Sequence, residues 1–243
     1  MDLSLRTSLD EILSRLIPTN PLTEPGLLKK VLFGGEGTGE IASYVAGWMA
    51  GKGKDVIVLD GANRFNPYMV SSLARKTLIS PERLLKRIQI ARAFTCYQMA
   101  TLMGERLPSL LREERAITPP QNPWVILLGP ITTFLDEDVS EREVRPLFEK
   151  SLRKVEGLAR EGIPFFLFQS PIPLHSRRAY LMKRLLQFSY LVWRVDAGDQ
   201  GPKMVLEKGF TADCSLNPKH EIRNSRQIPV IKAQNSKRVT KDI

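Results

Sequence analysis

A glycine-rich stretch with the spacing of a phosphate-binding loop is the part of this sequence best suited to chemistry. An apolar run that ends at Phe33 leads into GGEGTGEI, residues 34–41, and a helical pattern follows. In loops of the form G-x-x-x-x-G-K-[ST], backbone amides wrap the phosphates, the lysine reaches the β- and γ-phosphates, and the hydroxyl ligates magnesium. Here Glu40 and Ile41 occupy the lysine and hydroxyl positions. The loop glycines are Gly34, Gly35, Gly37 and Gly39.

The exchange of lysine for Glu40 predicts that ATP is not bound in the usual pose. At an effective dielectric near 20, a pair of unit charges about 4 Å apart contributes roughly 4 kcal/mol. Losing that attraction and adding a comparable repulsion amounts to about 8 kcal/mol, the whole binding free energy of a micromolar ligand. An acid in the first helical turn is, however, a favourable structural choice for a loop that holds no phosphate. We therefore expect neither ATP nor magnesium as a cofactor.

A basic segment between residues 171 and 184 is a candidate for contact with nucleic acid. The chain has a formal net charge of +10, and no Asp or Glu lies between Gly162 and Val195. Cations interleaved with aromatic rings suit contact with phosphates and stacking of bases. A solvated helix face is the alternative, and the sequence leaves it open. The candidate residues are His175, Arg177, Arg178, Tyr180, Lys183 and Arg184.

Short β-rich runs alternate with helical patterns, which predicts an α/β fold with a mostly parallel central sheet flanked by helices. The runs are continuously apolar, as expected of parallel strands buried on both faces. Helices are predicted from Ser80-Pro81 onwards, over Glu141 to Arg160 and over the basic stretch 176–187. Two strands around the turn at 198–202 predict a C-terminal β-hairpin. The predicted strands are 30–33, 56–60, 88–91, 124–128, 164–169, 190–196 and 203–208.

The composition predicts one core domain, residues 1–210, followed by a basic C-terminal tail, residues 211–243. Apolar residues make up 42% and charged residues 26%, as in globular domains. Residues 219–243 hold seven Lys or Arg against two Asp or Glu, and we expect the tail to be extended or disordered. No apolar run approaches the roughly 20 residues of a membrane span, so we expect a cytoplasmic protein without membrane contact. Cys96 and Cys214 lack zinc or redox spacing, which predicts reduced thiols and no metal site.

Over roughly residues 5–210, the chain resembles the RecA/RadA family of recombinases, and most closely their archaeal and eukaryotic branch. Residues 33–40 fall on the family's Walker A motif, and LDGANRFNP at 59–67 is similar to its second strand and turn. The most specific piece is Ala-Arg-Ala-Phe at 91–94, followed by Gln98-Met99. Residues 125–128 fall on the Walker B strand, and Gln169 on the glutamine that senses the γ-phosphate. The resemblance implies a RecA-like fold of the P-loop NTPase class.

The side chains that the family uses for ATP hydrolysis are replaced consistently in this chain. Glu40 and Ile41 stand at the Walker A lysine and hydroxyl, Ala62 at the acid that activates water, and Gly129 at the Walker B aspartate. Gln169 alone is retained, and without a γ-phosphate we expect it to tie its strand to a loop. Phosphoryl transfer needs a nucleotide clamp, a magnesium ligand and a group that orients water. The resemblance therefore implies a pseudoenzyme with degenerate Walker A and Walker B motifs.

Two loops that follow the fourth and fifth strands contact DNA in the family. Here the first, residues 129–144, holds five acids against one arginine and would repel phosphates. The second carries the basic candidates, although Pro171 and Pro173 stiffen its start. The chain begins close to the core, and no clear Phe-x-x-Ala polymerisation segment is present. We therefore do not expect it to form filaments.

These observations predict a non-hydrolysing accessory or scaffold protein of DNA recombination and repair. Its expected partners are single- or double-stranded DNA, a RecA/RadA-type recombinase or another repair protein. One alternative is a rebuilt ATP pocket, in which Lys52, Lys54 or Arg64 supplies the missing charge. The other is a protein-interaction module unrelated to DNA, whose basic tail docks on an acidic protein or aids solubility.

Overall fold

Seven strands form one sheet in the computed structural model, which describes residues 13–14, 30–117, 122–173, 176–196 and 203–208. All seven predicted strands are present, and each starts and ends within two residues of its predicted bounds. The strands are β1 (Lys30–Gly35), β2 (Val56–Asp60), β3 (Ile88–Arg92), β4 (Trp124–Leu128), β5 (Phe165–Gln169), β6 (Leu191–Asp196) and β7 (Lys203–Lys208).

The strand order is β3-β2-β4-β5-β1-β6-β7, and every neighbouring pair is parallel except β6 with β7. The predicted mostly parallel sheet and the antiparallel C-terminal strand pair are both confirmed. In β2 and β5 every residue is buried, which is why both strands are apolar up to their last residues, Asp60 and Gln169. The same expectation is wrong for β3, where Gln89, Ile90 and Arg92 are exposed. β3 lies at one end of the sheet and has a single neighbouring strand.

Helices pack on both faces of this sheet. Strand residues alternate between the faces, so Leu32 belongs to one core while Val31 and Phe33 belong to the other. The helices are α1 (Thr38–Gly51), α2 (Pro67–Lys76), α3 (Pro81–Leu85), α4 (Cys96–Thr101), α5 (Leu107–Ile117), α6 (Glu141–Arg160) and α7 (Ala179–Phe188). A π-helical turn, Leu102–Arg106, joins α4 to α5, and a 3-10 turn, Thr132–Leu135, follows β4.

Residues from α1, α2 and α3 build the core on one face of the sheet, and residues from α4, α5, α6 and α7 build the core on the other face. Val45 and Met49 of α1 and Val70 of α2 represent the first core. Met99 of α4 and Phe148 of α6 represent the second. The apolar periodicity of both groups of helices places one face of each against the sheet. A helix of this kind is stable in the protein because its apolar stripe is removed from water.

Most predicted helix boundaries are confirmed, whereas the start of α7 and the capping role of Ser80 are corrected. Helix α6 spans the predicted residues, whereas α7 begins at Ala179 because the preceding residues 176–178 form a turn. Ser80 stands at the N-cap of α3, but its hydroxyl donates to the Glu82 carboxylate instead of capping a backbone amide. All described residues belong to the predicted core, 1–210. Three predictions lie outside the described residues: the tail 211–243, the turn at 198–202, and the part of the family resemblance that precedes Leu13.

Candidate functional site

The glycine-rich loop lies at the carboxyl edge of the sheet, between β1 and the start of α1. In the sheet register, Gly34 lies opposite Gln169 of β5 and Gly35 opposite Val195 of β6. Directly after β5, the Ser170 hydroxyl lies 3.1 Å from the hydroxyl of Thr38. Parallel strands bring their carboxyl ends to one edge, where ligands bind in open α/β sheets. The structure therefore assembles the sequence-predicted loop and Gln169 in one place.

Packing within the protein explains three of the loop glycines. A β-carbon on Gly35 would lie 2.1 Å from the carbonyl oxygen of Val195, and one on Gly39 would lie 3.0 Å from the β-carbon of Arg64. Gly37 has open space around it but a left-handed backbone, with φ of +69°, and serves as N-cap of α1. This conformation favours glycine because other residues incur a steric cost there. These glycines thus have structural roles that require no bound phosphate.

Glu40 and Ile41 lie in different environments. Ile41 is buried in the core on one face of the sheet, and its amide donates to the carbonyl of Gly37 at 3.1 Å. Glu40 is exposed on the first turn of α1. Water screens an exposed charge, so its repulsion of a phosphate falls below the roughly 8 kcal/mol expected from the sequence. Screening does not replace the positive charge that a lysine at position 40 would supply to a phosphate.

Backbone and side-chain packing fill the space around Gly129, directly after β4. Gly129 follows β4 with a left-handed φ of +64°, and its β-carbon would lie 2.6 Å from the β-carbon of Ala62. A β-carbon on Gly61 would in turn lie 2.9 Å from the carbonyl oxygen of Gly129. The Gly129 amide donates to the Phe168 carbonyl at 2.7 Å, which holds the turn against β5. An aspartate at position 129 does not fit this arrangement.

Gln169 joins its strand to the neighbouring loop, as expected without a γ-phosphate. Its side-chain oxygen accepts a hydrogen bond from the Ile131 amide at 3.2 Å, and its side-chain nitrogen donates to the Ser170 carbonyl at 3.0 Å. The side chain is 2% exposed. A buried amide whose oxygen and nitrogen are both bonded within the fold has little capacity left for a ligand.

Asp60 is an acidic residue of this region that was not singled out as a site residue. It ends β2, is fully buried, and accepts hydrogen bonds from the amides of Arg64 (3.2 Å) and Phe65 (2.9 Å). The Arg92 guanidinium lies 3.6 Å from the same carboxylate. Asp60 therefore holds the turn that places Ala62 against Gly129. The sequence signal that could have identified Asp60 was its position at the start of a pattern of acid, small residue and turn.

Only one of the three cations considered for a rebuilt pocket lies at the loop. Lys52 and Lys54 follow the C-terminus of α1, and a helix of 14 residues is about 21 Å long. The Lys52 ammonium lies over the Trp48 ring, 5.3 Å from its centroid. Arg64 instead packs against Gly39 at the first turn of α1 and is exposed. A phosphate at this loop would have Arg64 as its nearby positive charge.

Arg178 is a structural residue, which corrects its assignment as a nucleic-acid contact. Its side chain is 7% exposed, and its guanidinium donates to the carbonyls of Phe134, Asp136 and Val139. The Glu141 carboxylate lies 3.7 Å away. Arg178 therefore bonds the segment after β5 to the loop after β4.

Another candidate of the basic segment has an acidic partner from elsewhere in the fold. Arg184 bonds the Glu149 carboxylate at 2.9 Å. The Tyr180 hydroxyl is buried, which raises its pKa to about 12, and Arg145 lies over its ring. Arg177 and Lys183 are exposed, and His175 lies outside the described residues. Two of the four Arg and Lys candidates, Arg178 and Arg184, thus have acidic partners that the sequence of the segment does not show.

The described residues contain neither a cluster of metal ligands nor a membrane-spanning helix. Within these ranges, no group of three or more His, Cys, Asp or Glu side chains could hold a metal ion. None of the helices described is long and apolar enough to cross a bilayer. Cys96 is buried, and burial raises the pKa of its thiol. No protein-family model matches the chain, and no curated protein matches it.

Proposed function

We propose that this chain is a RecA/RadA-like paralogue that does not hydrolyse ATP and serves as an accessory or scaffold in DNA recombination and repair. The observation that carries the proposal is the contact between Gly129 and Ala62. In the family these positions hold the magnesium-binding aspartate and the acid that activates water. Here a single β-carbon at position 129 already overlaps Ala62, so an aspartate at position 129 does not fit. Metal-assisted phosphoryl transfer loses the groups on which it depends.

The rest of the site supports this function because its residues have roles in the fold. Ile41 packs in the core, Gln169 bonds Ile131, and Asp60 holds the turn that contains Ala62. A scaffold needs the fold and its surfaces rather than the catalytic groups.

An apolar groove lies beside the edge strand β3. An edge strand presents unpaired backbone groups, and an extended peptide can add to such an edge while its side chains fill adjacent pockets. Next to β3, the structure has a cavity of about 290 Å³ between the strand and α5. Ile90 in this cavity is 41% exposed. The apolar lining residues are Ile57, Leu59, Ile90, Ala91, Leu102, Leu107 and Leu110. We propose that an extended apolar segment of the recombinase docks here.

Calorimetry and a phosphate-release assay test the loss of nucleotide chemistry. We expect no heat of binding for ATP or ADP with magnesium in the micromolar range, and no phosphate release above the buffer rate. Binding of ATP with a micromolar dissociation constant would overturn the pseudoenzyme assignment. Since such an affinity corresponds to about 8 kcal/mol, it would require a phosphate site that replaces the lysine.

Co-precipitation with a RecA/RadA-type recombinase tests the partner and its surface together. Ile90→Asp is expected to reduce capture at least about tenfold, since it places a charge in the apolar groove. Leu206→Asp is the matched control, because Leu206 is a half-exposed leucine on β7, at the other end of the sheet. Equal capture of both variants and the unmodified chain would exclude this groove, and no capture of any recombinase would exclude the partner.

Nucleotide binding without hydrolysis is the second candidate, and Arg64 favours it. This exposed arginine packs on Gly39, where helix amides and a guanidinium could together bind a phosphate. If calorimetry detects nucleotide binding, Arg64→Ala should abolish it while Lys52→Ala leaves it unchanged. Loss of binding in both variants would exclude Arg64 as the specific phosphate partner.

A further inference from the structure

The acidic side chains of α6 are engaged by partners inside the fold. Glu141 lies 3.7 Å from the Arg178 guanidinium, and Glu149 is 2.9 Å from that of Arg184. Glu156 pairs with the buried Lys30. Glu143 accepts hydrogen bonds from the hydroxyls of Tyr97 and Ser140. Each acidic side chain of α6 therefore has a partner within the fold.

Three cations of the same helix are directed to solvent. Lys150, Arg153 and Lys154 are exposed, and within the described part of the chain none of them has an ion pair or a hydrogen bond. Residues three and four positions apart lie on one side of a helix. The three cations thus form a single positive row on α6, which the alternation of acids and bases in its sequence conceals.

This row borders a groove between α6 and the helices α4 and α5. Two adjoining cavities, of about 360 and 620 Å³, share Gly104, Glu105 and Lys154 in their linings. Lys150 lines the first cavity, and Arg112 and Arg153 line the second. With Glu105 and Glu161 as the acids, four cations face two anions along the groove. The Tyr97 ring, 48% exposed, stands at its end.

Two glycines keep this groove open without another structural reason for being glycine. A β-carbon on Gly104 or on Gly157 would meet no atom within 4 Å, so packing does not require either glycine. Neither has a left-handed backbone, and both lie inside helical segments, where glycine is unfavourable. Gly104 lies in the π-helical turn, a feature that is frequent at functional sites. Side chains at these positions would project into the groove.

We propose that this groove binds the sugar–phosphate backbone of a nucleic-acid strand. Unpaired cations spaced along a channel, with an exposed ring at its end, match the way proteins bind single strands without sequence preference. The inference deepens the proposed function by placing nucleic acid on the helical face between α5 and α6. The contact is thus separate from the loops after β4 and β5, which Arg178 bonds to each other.

Fluorescence polarisation with a labelled oligothymidylate and a duplex of equal length, over a series of salt concentrations, tests the proposal on the full chain. The variant Lys150→Gln/Arg153→Gln/Lys154→Gln should weaken binding of the single strand at least about tenfold. Each lost phosphate contact lowers the slope of log affinity against log salt by about 0.7, so the slope should fall by about 2. A variant that binds as tightly as the unmodified chain, with the same slope, would overturn the proposal.

Lys76→Gln/Arg83→Gln/Lys86→Gln is the matched control. It removes two lysines and one arginine that are exposed on or beside α2 and α3, on the other side of the sheet. We expect it to bind like the unmodified chain. Equal weakening in both triple variants would show an effect of net charge alone and would overturn the groove.

Gly157→Gln fills the groove without changing its charge. Glutamine is a better helix former than glycine, so this variant should melt at a higher temperature and yet bind the oligonucleotide several-fold more weakly. Unchanged affinity in a more stable protein would overturn the proposal, and so would competition by poly-glutamate equal to that by unlabelled oligonucleotide. If the groove variants bind the oligonucleotide like the unmodified chain, the groove is excluded. The proposed function is decided separately, by the nucleotide and recombinase assays.

Discussion

Gly129 lies so close to Ala62 that a β-carbon on Gly129 would be 2.6 Å from that of Ala62. Gly129→Ala is therefore expected to lower the free energy of unfolding by about 2–5 kcal/mol. About 1–2 kcal/mol comes from the left-handed backbone and about 1–3 kcal/mol from overpacking. Denaturant unfolding with a constant slope against denaturant measures the change.

Gly37→Ala is the control that separates the two contributions. Gly37 has nearly the same φ, +69° against +64°, but no atom lies within 4 Å of an added β-carbon. Its substitution should cost only the backbone part, about 1–2 kcal/mol. Equal losses in the two variants would contradict the crowding at Ala62 and, with it, the closed space for an acid at position 129.

Arg178→Gln is expected to destabilise the protein by at least about 3 kcal/mol. The substitution leaves the carbonyls of Phe134, Asp136 and Val139 without their shared donor, and unsatisfied buried groups cost about 1–3 kcal/mol each. Arg177→Gln, at the exposed neighbouring position, should change stability by less than about 0.5 kcal/mol. Similar melting temperatures for the two variants would show that Arg178 does not join the loops after β4 and β5.

Gln169→Leu should expose the Ile131 amide to exchange and lower stability by about 1–3 kcal/mol. The leucine leaves that buried amide without its acceptor. Gln98→Leu is the control, because the Gln98 side chain also accepts from a backbone amide, that of Phe94, but in an exposed position where water can replace it. Hydrogen exchange measured at Ile131 distinguishes the two. Unchanged protection of Ile131 in Gln169→Leu would contradict the strand-to-loop bond.

Tyr97→Phe should raise the pKa of the Glu143 carboxyl towards its ordinary value. The hydrogen bond from Tyr97 is the main cause that lowers this pKa, and the bond from Ser140 adds to it. A lowered pKa stabilises the fold above the ordinary value, and the contribution is lost as the pH falls through the folded value. In the variant, the decrease in stability on acidification should therefore be smaller. An NMR titration of the Glu143 carboxyl carbon measures it, with Tyr68→Phe, an exposed tyrosine, as control.

The strands were predictable because burial on both faces leaves a local signature. Residues 56–59, 124–128 and 165–168 are apolar along their whole length, and each run lies in a central strand of the sheet. The edge position of β3 was not predictable from its own residues. Whether a strand has one neighbour or two depends on chain segments far away in sequence, so the exposure of Ile90 became visible only in the sheet.

The basic segment shows the same limit for charge. Sequence spacing places Arg178 and Arg184 in a run without acids, yet α6 brings Glu141 and Glu149 to them. The unpaired cations of the same helix, by contrast, lie among acids in sequence. Charge in space depends on which helix faces are turned inward, and the sequence of a single segment does not contain that information.

By itself the sequence determined the α/β class and the glycine-rich loop that ends in Glu40 and Ile41, because these depend on local residue types and spacing. Only the tertiary structure decided that Gly129 has no space for a side chain and that Arg178 is consumed by backbone carbonyls. Both outcomes depend on atoms that residues distant in sequence bring within van der Waals or hydrogen-bonding distance. Contacts of that kind are produced by the packing of the sheet and helices, and they have no counterpart in the order of residues along the chain.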